Sequence, residues 1–306
     1  MKMRRFAGES DFDRVADFLA GLYLPGNRDG NWFQSEWEYA YTHPWFDDSS
    51  TDHIGIWEDE GRIVAAVTYE LRLGTAAFQA AAGYESLKPE MLSYAEQNLA
   101  RAEDDGRLLL KVWVNDWDTG FEAVVAARGY VRQPDSDYPM SQLTIPDPFP
   151  PIFVSDGFRL QSLADENDLY KIHRVLYRGF NHPGEPSEEG AVVRRKMQSA
   201  PHYRKDLTVV AVAPNGHYAS YCGMWHDATN RLGYVEPVAT DPDYRRRGLG
   251  TAVVMESIRR CGALGATVAY VGSDQPFYRA MGFRKLFAQH CWEKHFDRAG
   301  TGAPGG

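Results

Sequence analysis

Asp241-Pro242-Asp243-Tyr244-Arg245-Arg246-Arg247-Gly248-Leu249-Gly250-Thr251 is the stretch of sequence that decides the fold. Three arginines lead into a Gly-x-Gly turn, and a segment with helical periodicity follows at once. A turn of this kind directs successive backbone N–H groups into one concavity, at a helix N-terminus whose dipole favours an anion. Gly248 and Gly250 remove the side chains that would keep a phosphate from the backbone, and the arginines add fixed positive charge. The stretch therefore predicts a pyrophosphate-binding turn.

Two other common phosphate-binding loops do not fit this stretch. A P-loop needs Lys and then Ser or Thr after its second glycine, whereas Gly250 is followed by Thr251 and Ala252. A dinucleotide fingerprint needs glycine or alanine at position 253, where Val253 stands. A solvated basic turn that only begins a helix remains the alternative interpretation.

Composition limits the class of function. The chain has 306 residues, which is long enough for two domains of about 150 residues each. Its net charge of −9 argues against a general binder of nucleic acid or anionic membranes, and weakly favours a cationic or amine-bearing substrate. No segment approaches the ~18 consecutive apolar residues of a membrane span, and no apolar signal region follows the basic start. Cys222, Cys261 and Cys291 lack metal-ligand spacing, which predicts reduced thiols in a cytoplasmic protein without a metal site.

The order of predicted elements occurs twice along the chain. Predicted hairpins turn at Gly61 and at Gly216, and a glycine ends a predicted helix at Gly129 and again at Gly282, in each case about 155 residues apart. A Pro-rich, stiff connection separates the two copies. We therefore predict a first domain over residues 1–146, a linker over 147–151, a second domain over 152–298 and a flexible tail over 299–306.

The first copy opens with a predicted helix capped by Ser10 or Asp11, with an apolar stripe of Phe12, Val15, Ala16 and Leu19. An aromatic cluster follows over residues 31–46. These rings either fill the core of the first domain or line a substrate pocket or a subunit contact. His43, beside a proline in this cluster, is given no role.

The second copy places a predicted strand over residues 232–239 directly before the arginine–glycine turn. Pro237 cannot donate to a sheet ladder, so it predicts a bulge or break in that strand. After the turn come a helix with Val254, Ile258 and Cys261 on one face, a strand over 266–271, a short helix ending at Met281, and a last strand.

Two motifs in this copy resemble those of the GCN5-related N-acetyltransferases, the GNAT family. Residues 245–250 resemble the family's Arg/Gln-x-x-Gly-x-Gly/Ala motif, and Pro276-Phe277-Tyr278-Arg279-Ala280-Met281-Gly282-Phe283 resembles its later motif, with a tyrosine four residues before Gly-Phe. The resemblance covers residues 158–295 well and residues 4–145 in outline, as in tandem GNAT proteins. It implies an α+β fold of two GNAT-like domains, each with a mixed, mostly antiparallel central sheet flanked by helices.

The resemblance also implies roles for individual residues. Backbone N–H groups from Arg246 to Thr251 would bind the pyrophosphate of acetyl-CoA, and the strand after the break at Pro237 would pair with its pantetheine arm. Ser273 stands where the family commonly has an asparagine, so its contact with that arm is open. The implied cofactor-binding residues are Val238, Ala239, Thr240, Arg245, Arg246, Arg247, Gly248, Leu249, Gly250, Thr251 and Ser273.

Two further residues are candidates for the chemistry. Tyr278 would be the general acid that protonates the departing CoA thiolate, and a buried core tyrosine is the alternative. An alkylamine must lose a proton before it attacks the thioester, and Glu236, bordering an apolar strand, is the first candidate for the base. Glu236 could instead face solvent or only fix the substrate. His226 and His182 are the next candidates, each with a surface or loop position as the alternative.

The first copy lacks the features of this site. About 155 residues before the turn, residues 87–94 contain neither Gly-x-Gly nor arginine, and Val125 occupies the tyrosine position. We therefore expect a structural half that helps to shape the acceptor site.

These features predict an acetyl-CoA-dependent N-acetyltransferase with one active site in the second domain, acting on a primary amine of a small molecule or peptide by direct attack on the thioester. A homodimer is compatible with the sequence, whereas nucleic-acid and membrane partners are not expected. Two alternatives stay open: transfer of another acyl group or to another acceptor, as in tandem relatives that make small thiols, or a CoA-binding module without catalysis.

Overall fold

The computed structural model describes residues 1–297, which form two compact units. The first unit contains residues 1–33, residues 45–138 and the described chain from residue 287 onward. The second contains residues 34–44 and 139–286. The flexible tail predicted for residues 299–306 lies outside the described residues.

The described residues form both β-strands and α-helices. The strands are β1 (Lys2–Arg5), β2 (Gly55–Asp59), β3 (Arg62–Thr68), β4 (Thr75–Ala80), β5 (Arg101–Ala102), β6 (Leu108–Asn115), β7 (Val131–Arg132), β8 (Tyr138–Thr144), β9 (Arg159–Ser162), β10 (Val209–Val212), β11 (Tyr218–Asp227), β12 (Leu232–Thr240), β13 (Val268–Val271) and β14 (Arg284–Phe296). The helices are α1 (Glu9–Leu22), α2 (Gln34–Thr42), α3 (Lys88–Asn98), α4 (Thr119–Ala127), α5 (Leu169–Gly179), α6 (Arg194–Met197), α7 (Leu249–Ala263) and α8 (Pro276–Ala280). Within residues 1–297, no helix has the length and apolar character needed to cross a membrane.

Each unit has a mixed sheet in which most neighbouring strands are antiparallel, as predicted. In the first unit the order is β1-β2-β3-β4-β6-β14, and β4 and β6 are the parallel pair. In the second unit the order is β8-β13-β12-β11-β10-β9, and β12 and β13 are the parallel pair. The fold is therefore α+β, with the same internal parallel pair in both units.

Each sheet includes a strand that the sequence-based division at residues 147–151 assigns to the other half. The end of the chain pairs with the first unit, where Cys291 of β14 lies opposite Trp113 of β6. Conversely, Ser141 of β8 lies opposite Val271 of β13 in the second unit. Each half of the chain therefore contributes one strand to the sheet of the other half. Hydrophobic periodicity does not predict this exchange.

The predicted apolar stripe of α1 is buried, but its predicted cap is wrong. The helix begins at Glu9 after Gly8, and no side chain caps it. Asp11 lies inside the first turn instead. Its carboxylate accepts a hydrogen bond from the Ala7 N–H (2.7 Å) and forms a partly buried ion pair with Arg4. The acidic residue therefore anchors the helix to β1.

The aromatic cluster over residues 31–46 divides between the units. Helix α2 packs within the second unit, where the rings of Tyr39 and Trp225 meet edge to face at 6.3 Å. The fully buried carboxylate of Glu38 accepts a hydrogen bond from the backbone N–H of His202 (3.0 Å). The interpretation that the whole cluster fills the core of the first domain is therefore wrong for α2.

Candidate active site

A bulge in the middle of the second sheet shapes the centre of the site. The pairing of β11 with β12 slips between Cys222 and Met224, and Gly223 lies against the Glu236–Pro237 peptide. A Cβ on residue 223 would lie only 2.2 Å from the carbonyl oxygen of Glu236, so only glycine fits there. The bulge predicted from Pro237 is confirmed.

The parallel strands β12 and β13 separate just before this bulge. Their pairing ends at Tyr234 and Tyr270. Beyond that point, no strand within the described residues pairs with this edge of β12, although its other edge stays paired with β11 as far as Thr240. Val238, Ala239 and Thr240 therefore lie along an open strand edge, which is the arrangement that strand-like pairing with an extended ligand requires.

The arginine–glycine turn follows directly and ends at the first residue of α7. Gly248 has φ of 75° and Arg246 has φ of 63°, so the backbone reverses twice within three residues. The first helical hydrogen bond runs from the Ala252 N–H to the Gly248 carbonyl oxygen (3.0 Å). The six backbone N–H groups of residues 246–251 donate to no group in the described part of the chain. Six consecutive free donors at the N-terminus of a 15-residue helix form a nest suited to an anion.

Position 250 requires glycine because neighbouring atoms lie close to it, and not because of its backbone angles. A Cβ there would lie 3.2 Å from the Phe277 ring and 3.2 Å from the Thr240 hydroxyl. A side chain at position 250 would therefore push α8 or β12 away from the start of α7.

The three arginines of the turn have different positions. The Arg245 guanidinium forms hydrogen bonds within the protein. It donates to the carbonyl oxygen of Gly179 (2.9 Å) and to Asn181 Oδ1 (2.8 Å). Arg246 and Arg247 are exposed. Arg245 thus connects the turn to the end of α5, and the solvent-facing positive charge comes from the next two residues.

A buried ion cluster that the sequence did not predict holds the start of the turn. Asp241, with no exposed surface, accepts hydrogen bonds from Arg174 Nη1 (2.7 Å) and Arg178 Nε (2.9 Å). It also accepts from the backbone N–H of Asp243 (3.0 Å). Burial alone would raise the pKa of Asp241, but these donors and the arginine charges hold its pKa below the ordinary value. The available signal was the spacing of Arg174 and Arg178, one helical turn apart on α5.

Tyr278 lies on α8 with 9% of its surface exposed. Its ring packs edge to face on Phe277 (4.9 Å) and Phe283 (5.7 Å). Burial raises the pKa of the Tyr278 hydroxyl well above its ordinary value, and the charges of Cys222 and Glu236 raise it further. The phenol therefore keeps its proton at neutral pH, close to the bulge between β11 and β12.

Glu236 stands at the bulge with a half-buried side chain. Its backbone carbonyl oxygen accepts a hydrogen bond from the indole N–H of Trp225 (3.0 Å), which fixes the strand at this point. Since Glu236 raises the pKa of Tyr278, the structure brings the two predicted catalytic residues into one electrostatic environment.

The other sequence candidates lie around this centre. Ser273, in the loop between β13 and α8, accepts a long hydrogen bond from the Gln275 N–H (3.4 Å). His226 lies near the end of β11 opposite Gly233, and burial lowers its pKa. His182 is exposed after α5 and stacks on Tyr177 at 4.8 Å. The histidines thus occupy a strand end and a surface loop.

The first unit repeats the strand arrangement of the second unit, but α3 is not preceded by an arginine–glycine turn. Its parallel strands β4 and β6 also separate, after Ala76 and Val112. The following helix α3 begins at Lys88-Pro89, preceded by Leu87 in a right-handed helical conformation rather than by a glycine turn. Val125, at the tyrosine position, is fully buried. Among its described residues, this unit therefore retains separated strands, but its α3 begins without a comparable anion nest.

Comparison with known proteins agrees with this geometry. Residues 167–283 match the sequence profile of the Acetyltransferase (GNAT) family. No curated protein matches the sequence. The matched segment lies within the second unit and contains both the arginine–glycine turn and Tyr278.

Solved structures extend the likeness of fold to the whole chain. A GCN5-related N-acetyltransferase from Sphaerobacter thermophilus aligns with TM-score 0.65 at 17% identity, over 97% of this chain and 96% of that one. A tandem GNAT protein from the clavulanic acid biosynthesis pathway aligns with TM-score 0.65 at 14% identity, over 98% and 99%. Saccharomyces cerevisiae N-myristoyltransferase, solved with bound myristoyl-CoA and inhibitors, aligns with TM-score 0.57 at 11% identity, over 97% and 80%. The chain has the fold of a tandem GNAT protein.

Proposed function

We propose that this protein is an acetyl-CoA-dependent N-acetyltransferase with a single active site in its second unit. The observation that carries the proposal is the row of six free backbone N–H groups over residues 246–251, beside the open edge of β12. The nest binds the pyrophosphate of acetyl-CoA, with exposed Arg246 and Arg247 beside it. The backbone of Val238 to Thr240 pairs with the pantetheine arm, which directs the thioester towards the bulge.

The reaction requires one proton acceptor and one proton donor. Glu236, directly or through water, takes a proton from the acceptor ammonium group, and the neutral amine attacks the thioester carbonyl. The C–N bond forms as the C–S bond breaks, and Tyr278 donates its proton to the departing CoA thiolate. The extra proton on the new amide nitrogen passes to solvent, from which the Tyr278 phenolate recovers its own proton. The buried Tyr278 hydroxyl keeps its proton at neutral pH, so that proton is available as the thiolate develops.

The acceptor is a primary amine of a small molecule or peptide. The three cysteines are buried free thiols, which is compatible with the reducing cytoplasm as the place of action. In the described part of the first unit, α3 begins without the nest and Val125 stands at the tyrosine position, which supports a single active site with the first unit as a structural half.

One other reading has an observation in its favour. N-myristoyltransferase shares the fold, so the second unit could transfer an acyl group other than acetyl, or use a different acceptor. A catalytically inactive CoA-binding module has less support, because binding alone does not require a buried tyrosine at the thioester position.

The test is release of free CoA from acetyl-CoA in the presence of a panel of primary amines. The wild-type protein is expected to turn over with at least one amine, and Gly248→Glu, which fills the nest with a negative side chain, is expected to show none. Binding of acetyl-CoA without turnover on any amine would favour the inactive module. Turnover with a longer acyl-CoA but not with acetyl-CoA would favour the other transferase.

A further inference from the structure

Helix α2 comes from the first half of the sequence but packs within the second unit. Two of its carboxylates hold it there. Glu36 Oε1 accepts a hydrogen bond from the Tyr234 hydroxyl of β12 (3.2 Å). The fully buried carboxylate of Glu38 accepts from the His202 backbone N–H (3.0 Å) and lies 2.5 Å from His202 Nδ1. The helix is therefore fixed to β12 and to the segment before β10.

The same helix contacts the indole ring of Trp225 on β11, which is 2% exposed. The Tyr39 ring of α2 meets it edge to face at 6.3 Å, and the Tyr203 ring meets it edge to face at 5.7 Å. Tyr203 directly follows His202, the residue that Glu38 binds. Helix α2 therefore holds Trp225 directly and also through the segment that carries Tyr203.

Trp225 in turn holds the backbone of Glu236. Its indole N–H donates to the Glu236 carbonyl oxygen (3.0 Å). Trp225 also lies opposite Tyr234, two residues before Glu236, so α2 contacts both members of this cross-strand pair. Backbone polar groups inside a protein are nearly always hydrogen-bonded, so loss of the indole donor favours rotation of the Glu236 peptide towards another partner. The Glu236 side chain would turn with that peptide.

We propose that Trp225 is a positioning residue for Glu236, and that α2 holds Trp225 in this role. The first half of the sequence then contributes to catalysis through a helix packed in the second unit, besides forming most of the first unit. This inference rests on the proposed function, in which Glu236 is the proton acceptor. A proton acceptor must lie within hydrogen-bond distance of the amine or of a bridging water, and a misplacement of about 1 Å can lower a rate on the order of 100-fold.

A double-mutant cycle on kcat for CoA release tests the positioning role. Trp225→Phe keeps an aromatic ring but removes the indole N–H, and should lower kcat about tenfold at pH 7. In a Glu236→Gln protein, which has no proton acceptor to position, the same change should lower kcat less than about twofold. Equal losses in the two backgrounds would overturn the proposal, because a general defect in folding or binding does not depend on Glu236.

The pH dependence of the Trp225→Phe loss provides a second readout. An alkylamine with a pKa of about 10.4 is neutral more often at pH 9.5 than at pH 7, and then depends less on a proton acceptor. The loss should therefore shrink between pH 7 and pH 9.5. A loss of the same size at both pH values would contradict positioning of Glu236.

Solvent exchange of the Trp225 indole N–H, followed by NMR, tests the role of α2 without an enzymatic assay. Tyr39→Ala should speed this exchange at least about tenfold, since it removes a ring that covers the indole. Tyr39→Phe, which keeps the ring, should exchange like wild type. Tyr170→Ala makes the same truncation at a half-buried tyrosine on α5 and is the matched control, with unchanged exchange expected.

Unchanged exchange in Tyr39→Ala, or equal acceleration by Tyr170→Ala, would overturn the role of α2. If Tyr39→Ala does not fold, Tyr39→Leu takes its place with the same expectation. A wild-type protein without turnover on any amine would refute the proposed function and the positioning of a catalytic base with it, while indole exchange would still decide whether α2 holds Trp225. Normal wild-type turnover with equal losses in the double-mutant cycle would overturn this inference alone.

Discussion

Gly223, Gly248 and Gly250 are glycines for three different local reasons. At 223 a strand backbone approaches the Glu236 carbonyl oxygen, at 248 the backbone is left-handed, and at 250 the start of α7 contacts Phe277. Only the last two were identified from the sequence, because Gly-x-Gly before a helix is a local signal. The need for glycine at position 223 depends instead on which strand lies opposite it in the sheet.

Tyr278→Phe tests the proton donor at the same scale. Loss of a general acid should lower kcat about 100-fold. Since burial raises the pKa of Tyr278 above the ordinary tyrosine value of about 10, the loss should be similar at pH 7 and pH 9. Steady-state rates of CoA release at both pH values, with acetyl-CoA affinity measured separately, provide the check. A variant with weakened acetyl-CoA binding and unchanged kcat would exclude the role of acid.

Asp241→Asn tests the buried ion cluster. Removing one partner of a buried ion pair should lower the free energy of unfolding by about 3–5 kcal/mol at pH 7. Because the folded protein holds the pKa of Asp241 below its unfolded value, this stabilisation is complete above about pH 4 and is lost as the pH falls further through the folded value. Urea unfolding at pH 7 and at pH 3 should therefore show a smaller acid-induced loss for the variant than for wild type.

Asp243→Asn is the matched control, because Asp243 pairs with Arg178 at the surface. Its cost should be no more than about 1 kcal/mol, as for other exposed ion pairs. Equal costs for the two variants would show that the burial of Asp241 does not matter.

Among the elements, the bulge between β11 and β12 connects fold to chemistry. It places Glu236 near Tyr278 and lies where β12 leaves β13. Gly223→Ala should force this bulge to shift, and should lower the free energy of unfolding by about 1–3 kcal/mol through overpacking while reducing kcat for CoA release.

Gly21→Ala serves as its control, since a Cβ at position 21 of α1 meets nothing within 4 Å. That change should leave stability unchanged or raise it by up to about 1 kcal/mol, with activity intact. A Gly223→Ala protein as stable and as active as wild type would mean that the bulge does not position the site.

Local sequence signals predicted the elements of the site but not their long-range partners. Pro237, Tyr278 and the turn at 245–251 could be identified from neighbouring residues alone. The burial of Asp241 could not, since it depends on the packing of α5 against the turn. Likewise, alternation of apolar residues marks β14 as a strand without indicating that it pairs with β6 in the first unit.

At the scale of the whole molecule, the two units share one strand plan and differ in the segment that follows the first strand of the parallel pair. The second unit has a glycine turn and an anion nest there, with Tyr278 nearby. In the first unit α3 begins without that turn, and residues 29–32 lie along the corresponding strand edge. The repeat predicted from sequence is therefore present as structure, whereas the proposed catalytic features occur in one copy.

Calorimetric titration with acetyl-CoA tests the central claim most directly, using wild type, Gly248→Glu and Ser93→Ala. Ser93 lies on α3, in the first-unit counterpart of the turn, and its hydroxyl bonds only to the Pro89 carbonyl oxygen within the described chain. One acetyl-CoA per chain is expected for wild type and for Ser93→Ala, and no binding for Gly248→Glu. Two molecules per chain, or unchanged binding by Gly248→Glu, would contradict a single acetyl-CoA site at residues 246–251.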